Sequence, residues 1–390
     1  MPCPNASVRN REAPGHCYLR RCGVVTINPP KELGFENMPV LRFPNSQSDL
    51  DRLVSQMALI ARTYPETTNS FSLDDMRDVL AAQRQISSSG ASGSLAVARS
   101  TRPDRSRDPL YNQVKMMSEI YRMFGWMRST PQSRLKFRMT HLGLTLALDA
   151  ASIGSDFRNG LIRESILGVT FPNETTTNVG VANQRPFSWL LRLTKALDGF
   201  VTRDEIIVGL LGTIDDLIPG KLDAVSRRLI GARGIGNTTE LVEDLSRLHG
   251  VQVNTLQNYT RLPIGILSST LVGWARPATR KLKGFKTPIR GFELTSLGAI
   301  EATTLQNGFD LRLASIESLP VSKRIILADY SFYLLLERAG IPQEAIAGDL
   351  LRLKKDGDRI LEHLGYSQGQ KLIFNPELQE VDSILAKLAE

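Results

Sequence analysis

The amino-acid sequence predicts a mainly α protein with small β-hairpins, an α+β fold of tandem winged-helix subdomains, and three observations lead there. First, one stretch occurs twice. Gly125-Trp126-Met127-Arg128, a basic insert and Phe137-Arg138-Met139-Thr140-His141-Leu142-Gly143 close at Ala147. Gly273-Trp274-Ala275-Arg276, a longer basic insert and Phe292-Glu293-Leu294-Thr295-Ser296-Leu297-Gly298 close at Ala302. Phe-to-Ala spacing is the same in both, whereas the inserts differ by seven residues, as expected of a fixed scaffold carrying a variable loop. Second, each Trp-led and Phe-led run is rich in β-formers and flanks turn residues, which marks a hairpin. Third, Thr140 and Thr295 are placed to cap short helices, and a helical pattern precedes each copy. Helix, hairpin, helix is the order of a winged helix, with the basic insert as its wing.

A chain of 390 residues holds two or three domains. Its 42% hydrophobic and 23% charged content is that of a soluble globular protein. No apolar run approaches the ~20 residues of a membrane span and no secretory leader opens the chain, so no membrane partner and a cytoplasmic location are expected. The net charge of +8 is concentrated. Nine basic residues face three acidic ones between Arg99 and Lys136, and six more, without an acid among them, lie between Arg276 and Arg290. Positive charge gathered on two repeats is the footprint of a nucleic-acid binder.

Residues 1–45 read as an irregular N-terminal arm. Cys3, His16, Cys17 and Cys22 are the one weak zinc candidate, with Cys17 to Cys22 slightly wide for a knuckle; reduced thiols are the default reading. The first winged-helix subdomain spans 46–158. Leu53, Met57, Leu59 and Ile60 sit at helical spacing in 48–63, and Ser72 caps a helix over 73–86 with acids in its first turn. Ser87 to Gly93 reads as a flexible segment. The basic run Arg99, Arg102, Arg105 and Arg107 then reads as an arm that could order on a phosphate backbone, or as a solvated linker. A helix follows over 109–124, opened by Pro109. Val114, Met117, Ile120 and Phe124 form its inward stripe, while Asn112, Gln113, Lys115 and Arg122 fall largely elsewhere. Asn and Gln can bond adenine bidentately, and Lys or Arg can reach guanine or phosphate, which makes this the first candidate reader helix. Arg128, Arg134 and Lys136 belong to its wing, 128–136.

The second winged-helix subdomain spans 159–310. Leu190, Leu191, Leu193 and Leu197 give an apolar helix face ended at Gly199, and Thr202 to Glu205 is a capping box. Asp215-Asp216 lack a third acid for a metal and are placed near a helix end. Gly231 to Gly236 lacks the Lys-Ser/Thr of a phosphate loop and reads as a turn between helices. Residues 253–269 are the second candidate reader, carrying Gln257, Asn258 and Arg261, with Pro263 forcing a kink or restart. The second wing, 276–290, carries Arg276, Arg280, Lys281, Lys283, Lys286 and Arg290.

The last subdomain, 311–390, reads as helical and winged-helix-like. Helices are expected over 320–339, from Ile341, over 358–364 and over 377–389, with Leu372 to Pro376 as a degraded third hairpin. No Asp or Glu is followed two places on by Lys, so the Asp/Glu-x-Lys half of a metal-dependent nuclease site is not visible. The histidines at 16, 141, 249 and 363 are scattered, without a nucleophile motif.

Over roughly 110–305 the order of elements resembles the DNA-recognition region of type IIS restriction endonucleases and related nicking endonucleases, the AlwI-like and FokI-like group. The resemblance rests on Phe137 to Ala147, Ile162 to Leu167, Phe171-Pro172-Asn173, Arg185-Pro186-Phe187 with its Leu-rich helix, Asp198 to Glu205 and the hairpin ending at Gly298. It implies that consecutive winged helices read an asymmetric duplex site. It also implies that cleavage belongs to a separate magnesium-dependent domain, missing from this chain or supplied by a partner nuclease subunit. A winged-helix transcription factor or replication initiator, and a protein-interaction scaffold without DNA, are the alternative readings.

Overall fold

The computed structural model describes residues 40–373, except 46, 89, 101–103, 131–132, 149–153, 174, 176–182, 313–317 and 341–342. The zinc candidates Cys3, His16, Cys17 and Cys22, together with Arg102 and the expected helix 377–389, lie outside the described residues.

The first repeat begins earlier than its sequence motif. Helix α1 (Leu50–Thr63) starts where the Asp49 side chain accepts the Arg52 N–H. A two-residue strand β1 (Phe71–Ser72) leads into α2 (Leu73–Ala82), opened by a reciprocal Ser72–Asp75 capping box. The Ser-Gly segment expected to be flexible is instead a small hairpin, β2 (Ser87–Ser88) with β3 (Ala91–Ser92), followed by α3 (Ser94–Ala98). Buried Ile86 and Ala91 anchor it, and Gly90 supplies the left-handed turn that an L side chain resists. Helix α4 (Pro109–Met123) buries Val114, Met117 and Ile120 as its periodicity predicts. Strands β4 (Met127–Thr130) and β5 (Ser133–Met139) form the hairpin, and α5 (His141–Ala147) and α6 (Ser155–Leu167) follow.

The second repeat keeps the frame of opening helix, short strand, helices, hairpin and closing helix, without a counterpart of the β2–β3 hairpin among the described residues. Helix α7 (Pro186–Ala196), strand β6 (Phe200–Val201) and α8 (Arg203–Ile206) run into a π-helical turn at Ile207–Leu211. Helices α9 (Lys221–Ile235), α10 (Thr238–His249), α11 (Val253–Tyr259) and α12 (Arg261–Leu267) lead to β7 (Ala275–Arg280), β8 (Ile289–Leu294) and α13 (Ser296–Gln306). The break at Thr260 is the restart that Pro263 predicts.

Both repeats add a third strand to the hairpin. β1 pairs with β5, Phe71 opposite Phe137, and β6 pairs with β8, Val201 opposite Phe292. The antiparallel sheets therefore share one order, first strand, third strand, second strand. The closing helix of each repeat packs on the opening one, α5 on α1 and α13 on α7.

The repeated Thr-x-x-Gly has one physical cause in both copies. Thr140 Oγ1 accepts the Gly143 N–H at 3.0 Å and donates to the Gly125 carbonyl at 2.7 Å; Thr295 does the same with Gly298 at 3.1 Å and Gly273 at 2.6 Å. That pair of hydrogen bonds draws the helix start onto the backbone of the buried Trp126 or Trp274, where only glycine fits.

Three expectations are corrected. Gly231 to Gly236 is not a turn: it is the last part of α9, whose end is the left-handed Gly236, and its Arg233 is buried against Glu205. Arg233 also donates to the carbonyls of Leu197 and Phe200, so this buried guanidinium joins α9 to α8 and β6. The helices expected from Ile341 and from Asp358 are one helix, α15 (Gln343–His363), packed on α14 (Val321–Ala339). Gly357 sits within it because a side chain there would collide with the Tyr330 ring. The third hairpin is absent among the described residues: β10 (Leu372–Ile373) pairs in parallel with β9 (Phe309–Asp310), which returns the chain to the end of the second repeat.

Asp215 and Asp216 lie between the π-helical turn and α9. Asp216 is buried and pairs with Arg312 and Arg192, while its Oδ2 accepts the Arg185 N–H at 3.2 Å. Arg185 in turn pairs with Asp310, so Asp216 and Asp310 together serve as counter-ions to Arg185, Arg192 and Arg312, while Asp215 accepts the Leu217 N–H. No helix among the described residues is long and apolar enough to cross a membrane.

Candidate functional site

The sequence-derived cations divide into those held by acids and those that are not. Arg105, exposed, pairs with Asp74 and lies 5.7 Å from the Tyr111 ring centre, and Arg107 pairs with Asp104 at 3.3 Å. Arg99 is exposed at the end of α3. These contacts fold the basic run back onto α2 and α4. Its charge is therefore partly neutralised, which the residue count alone conceals.

On α4, Lys115 is exposed and Asn112 and Gln113 are half-buried. Arg122 plays a packing role. Its Nε donates to the Ser118 carbonyl, a terminal nitrogen donates to Ser129, and the guanidinium lies 5.1 Å over Phe137, fastening α4 to its hairpin. At the hairpin, Arg134 and Lys136 are exposed and Arg128 is half-buried opposite Arg138. Leu135, between Arg134 and Lys136, is 61% exposed at a bulge in the strand pairing.

On the second reader, Gln257 and Asn258 of α11 are half-buried and Arg261 of α12 is exposed. The second wing is less cationic than its sequence interval implies, because the register places Glu293 opposite Arg276. Glu293 pairs with Arg276 at 3.1 Å and with Arg280 at 3.2 Å, neutralising the base of the hairpin. Lys281, Lys283, Lys286 and Arg290 are exposed and make no ion pair among the described residues; Lys281 Nζ donates to the Lys286 carbonyl and so shapes the tip. Between α12 and the sheet lies a groove of about 700 Å³, with Ile264, Pro277, Ala278 and Phe292 as its apolar wall and Arg203 and Arg290 among its lining.

The structure links the two candidate readers through a segment that begins in the expected arm, 1–45, and runs on to Ser48 of the first subdomain. Val40, Leu41 and Phe43 are buried, and the Leu41 N–H donates to the Leu211 carbonyl. Asn45 N–H reaches Met116 Sδ of α4 at 3.4 Å, and the Ser48 carbonyl fills the space beside Gly265 of α12. Arg42, exposed between these anchors, stands 5.9 Å from the Tyr259 ring centre on α11, and its charge is felt by Glu119 on α4. Burial pushes the Glu119 carboxyl up, against the opposing pull of Lys115, Arg122 and Arg42. Arg42 was missed because a lone arginine before the first helical period carries no sequence signal; its place is fixed by contacts with residues 77 and more positions away.

Among the described residues no group of three or more His, Cys, Asp or Glu side chains is arranged to hold a metal ion. No protein-family model matches the chain, and no curated protein matches it significantly.

Proposed function

We propose that the chain recognises double-stranded DNA through two winged-helix modules, α1 to α5 and α7 to α13. The observation that carries this reading is one frame, opening helix, short strand, helices, hairpin and closing helix, with one sheet order, occurring twice, each time with an exposed basic hairpin after the candidate reader helix. In such a module the helix before the hairpin enters the major groove and the wing meets phosphates or the minor groove. Here α4 offers Asn112, Gln113 and Lys115, and α11 with α12 offers Gln257, Asn258 and Arg261. Arg42 stands between them. Lys281, Lys283, Lys286 and Arg290, and on the other wing Arg134 and Lys136, supply the charge that positions the duplex.

The resemblance to type IIS enzymes extends this to the specificity portion of a type II restriction endonuclease, with magnesium-dependent cleavage supplied elsewhere. Titrating the chain with a random duplex while raising salt tests the DNA reading. Neutralisation of about six phosphates makes affinity fall roughly 10³-fold between 50 and 200 mM salt. Affinity that ignores salt, or the absence of binding at low salt, overturns it. Oligonucleotide selection then separates the finer readings: a short asymmetric site bound by one chain fits the restriction role, and a palindrome or direct repeat fits a transcription factor or initiator.

A further inference from the structure

The tip of the second hairpin rests on the end of α9. Its turn is closed by the Phe285 N–H, which donates to the Leu282 carbonyl at 3.3 Å, and by Lys281 Nζ on the Lys286 carbonyl. Between them Gly284 takes the left-handed region, φ 90°. A Cβ on Gly284 would collide with the carbonyls of Arg233 and Gly234, and one on Gly236 would stand 2.5 Å from the Gly284 carbonyl oxygen. Helix end and wing tip therefore meet backbone to backbone, and Ile235, between Gly234 and Gly236, is held at the joint. Its side chain is 75% exposed, more than any other large apolar side chain among the described residues. Lys283 adjoins Gly284 in the chain, and Lys281 and Lys286 flank the same turn, all exposed. The acid closest to Ile235 in the sequence, Glu240, accepts from Asn237 Nδ2. A lone surface isoleucine is ordinary, and lysines beside a helix C-terminus are favourable in themselves. Neither accounts for an apolar side chain fixed in water by a stiff backbone joint beside a lysine-rich tip. That combination matches duplex DNA, whose phosphates take the cations and whose base stack takes the apolar group.

We propose, resting on the DNA reading above, that Ile235 is an apolar wedge that enters the minor groove of duplex DNA beside the second wing and unstacks one base step. Lys283 and Lys286 hold the flanking phosphates, and the Gly284–Gly236 contact keeps the wedge from folding away under load. Side chains of this kind kink a duplex by roughly 20–90°. The second wing is thus a composite element, built from a hairpin tip and a helix end that lie about 50 positions apart in the chain.

The test uses the full chain and a short random-sequence duplex with a donor and an acceptor dye at its two ends, so that bending raises energy transfer. Wild type raises the transfer on binding. Ile235→Ala loses that rise and binds roughly tenfold more weakly. Its slope of log affinity against log salt stays the same, because no charge is removed. Ile235→Leu, which keeps the apolar bulk, keeps both bend and affinity. Since the side chain stands in water, neither variant shifts the urea midpoint, and a fall in that midpoint for Ile235→Ala assigns the residue to packing and overturns the proposal. Wild type that binds with normal salt dependence beside an Ile235→Ala chain of equal affinity and bend refutes the wedge and leaves the DNA reading standing. A wild-type chain that binds no duplex refutes both. Binding to phosphatidylserine vesicles that Ile235→Ala abolishes, with duplex bending unchanged, gives the side chain to a lipid surface and also overturns the proposal.

Discussion

Gly143 lies against the carbonyl of Trp126 so closely that a Cβ added to it would stand 2.1 Å from that oxygen, and Gly298 repeats the relationship with Trp274 at 2.0 Å. Because the obstacle is backbone held by a strand, it cannot swing aside. Gly143→Ala and Gly298→Ala each lower stability by about 1–3 kcal/mol or more. Gly231→Ala, in α9 with open space around it, gains about 0.5–1 kcal/mol instead. Urea denaturation of the three variants checks the contrast.

Arg185 is 1% exposed and donates to Asp310 and to the carbonyls of Gly168 and Leu311, the first of which is 2.5 Å away. Removing it leaves Asp310 with one fewer counter-ion, so Arg185→Ala costs about 3–5 kcal/mol. Burial alone would raise the Asp310 carboxyl, yet Arg185 and Arg312 outweigh it and hold the group below the usual carboxylate range. A carboxyl depressed in the folded state stabilises above its unfolded pKa, about 4, and that contribution is lost as pH falls through the lower folded value. Denaturation at pH 7, 4 and 3 therefore shows a steeper acid loss in wild type than in Arg185→Ala.

The cations at the second wing and at the junction should behave differently on DNA. Replacing Lys281, Lys283 and Lys286 by Ala weakens binding to all duplexes about equally and flattens the salt dependence, as lost phosphate contacts do. Arg42→Ala instead relaxes base preference at the centre of the selected site, by about 1–3 kcal/mol for one lost base contact. Equal loss on every sequence for Arg42→Ala would assign that residue to phosphate.

Burial in the last turn of α10 pushes the His249 imidazole below its ordinary value of about 6.5. The folded chain thus binds fewer protons there than the unfolded one. Its contribution is present above the unfolded pKa and lost as pH drops through the lowered folded value. Melting curves from pH 7.5 to 5 should decline in wild type and decline less in His249→Gln.

Periodic and capped segments were legible from the chain because their signals are local. α1, α4 and α14 follow their apolar spacing, and Ser72, Thr140, Thr202 and Thr295 all cap helices as their positions suggest. The hairpin pair was legible because its Trp and Gly spacing is fixed by contact. The two-residue strands β1 and β6 were not, since Phe71–Ser72 and Phe200–Val201 are too short to show alternation and gain their strand character only from partners 66 and 93 positions away. Glycine misled twice, at Gly234 and Gly357: one lies in an open stretch of helix, the other makes room for a ring, and neither ends its helix. Charge was legible as a sum and illegible as a pattern, because Glu293 and Asp74 are counter-ions only in three dimensions.

Ser48 meets Gly265 backbone to backbone, and the same short segment is tied to α4 through Asn45. The Ser48–Gly265 contact has no side chain to yield, and the Met116 thioether closes the other end of the segment, so the joint acts as a bracket that resists displacement chiefly on the α12 side. Were both repeats to hold one duplex, the bracket would act as a ruler. An inserted base pair, which displaces the far half of a site by ~3.4 Å and turns it about the axis, would be refused instead of absorbed.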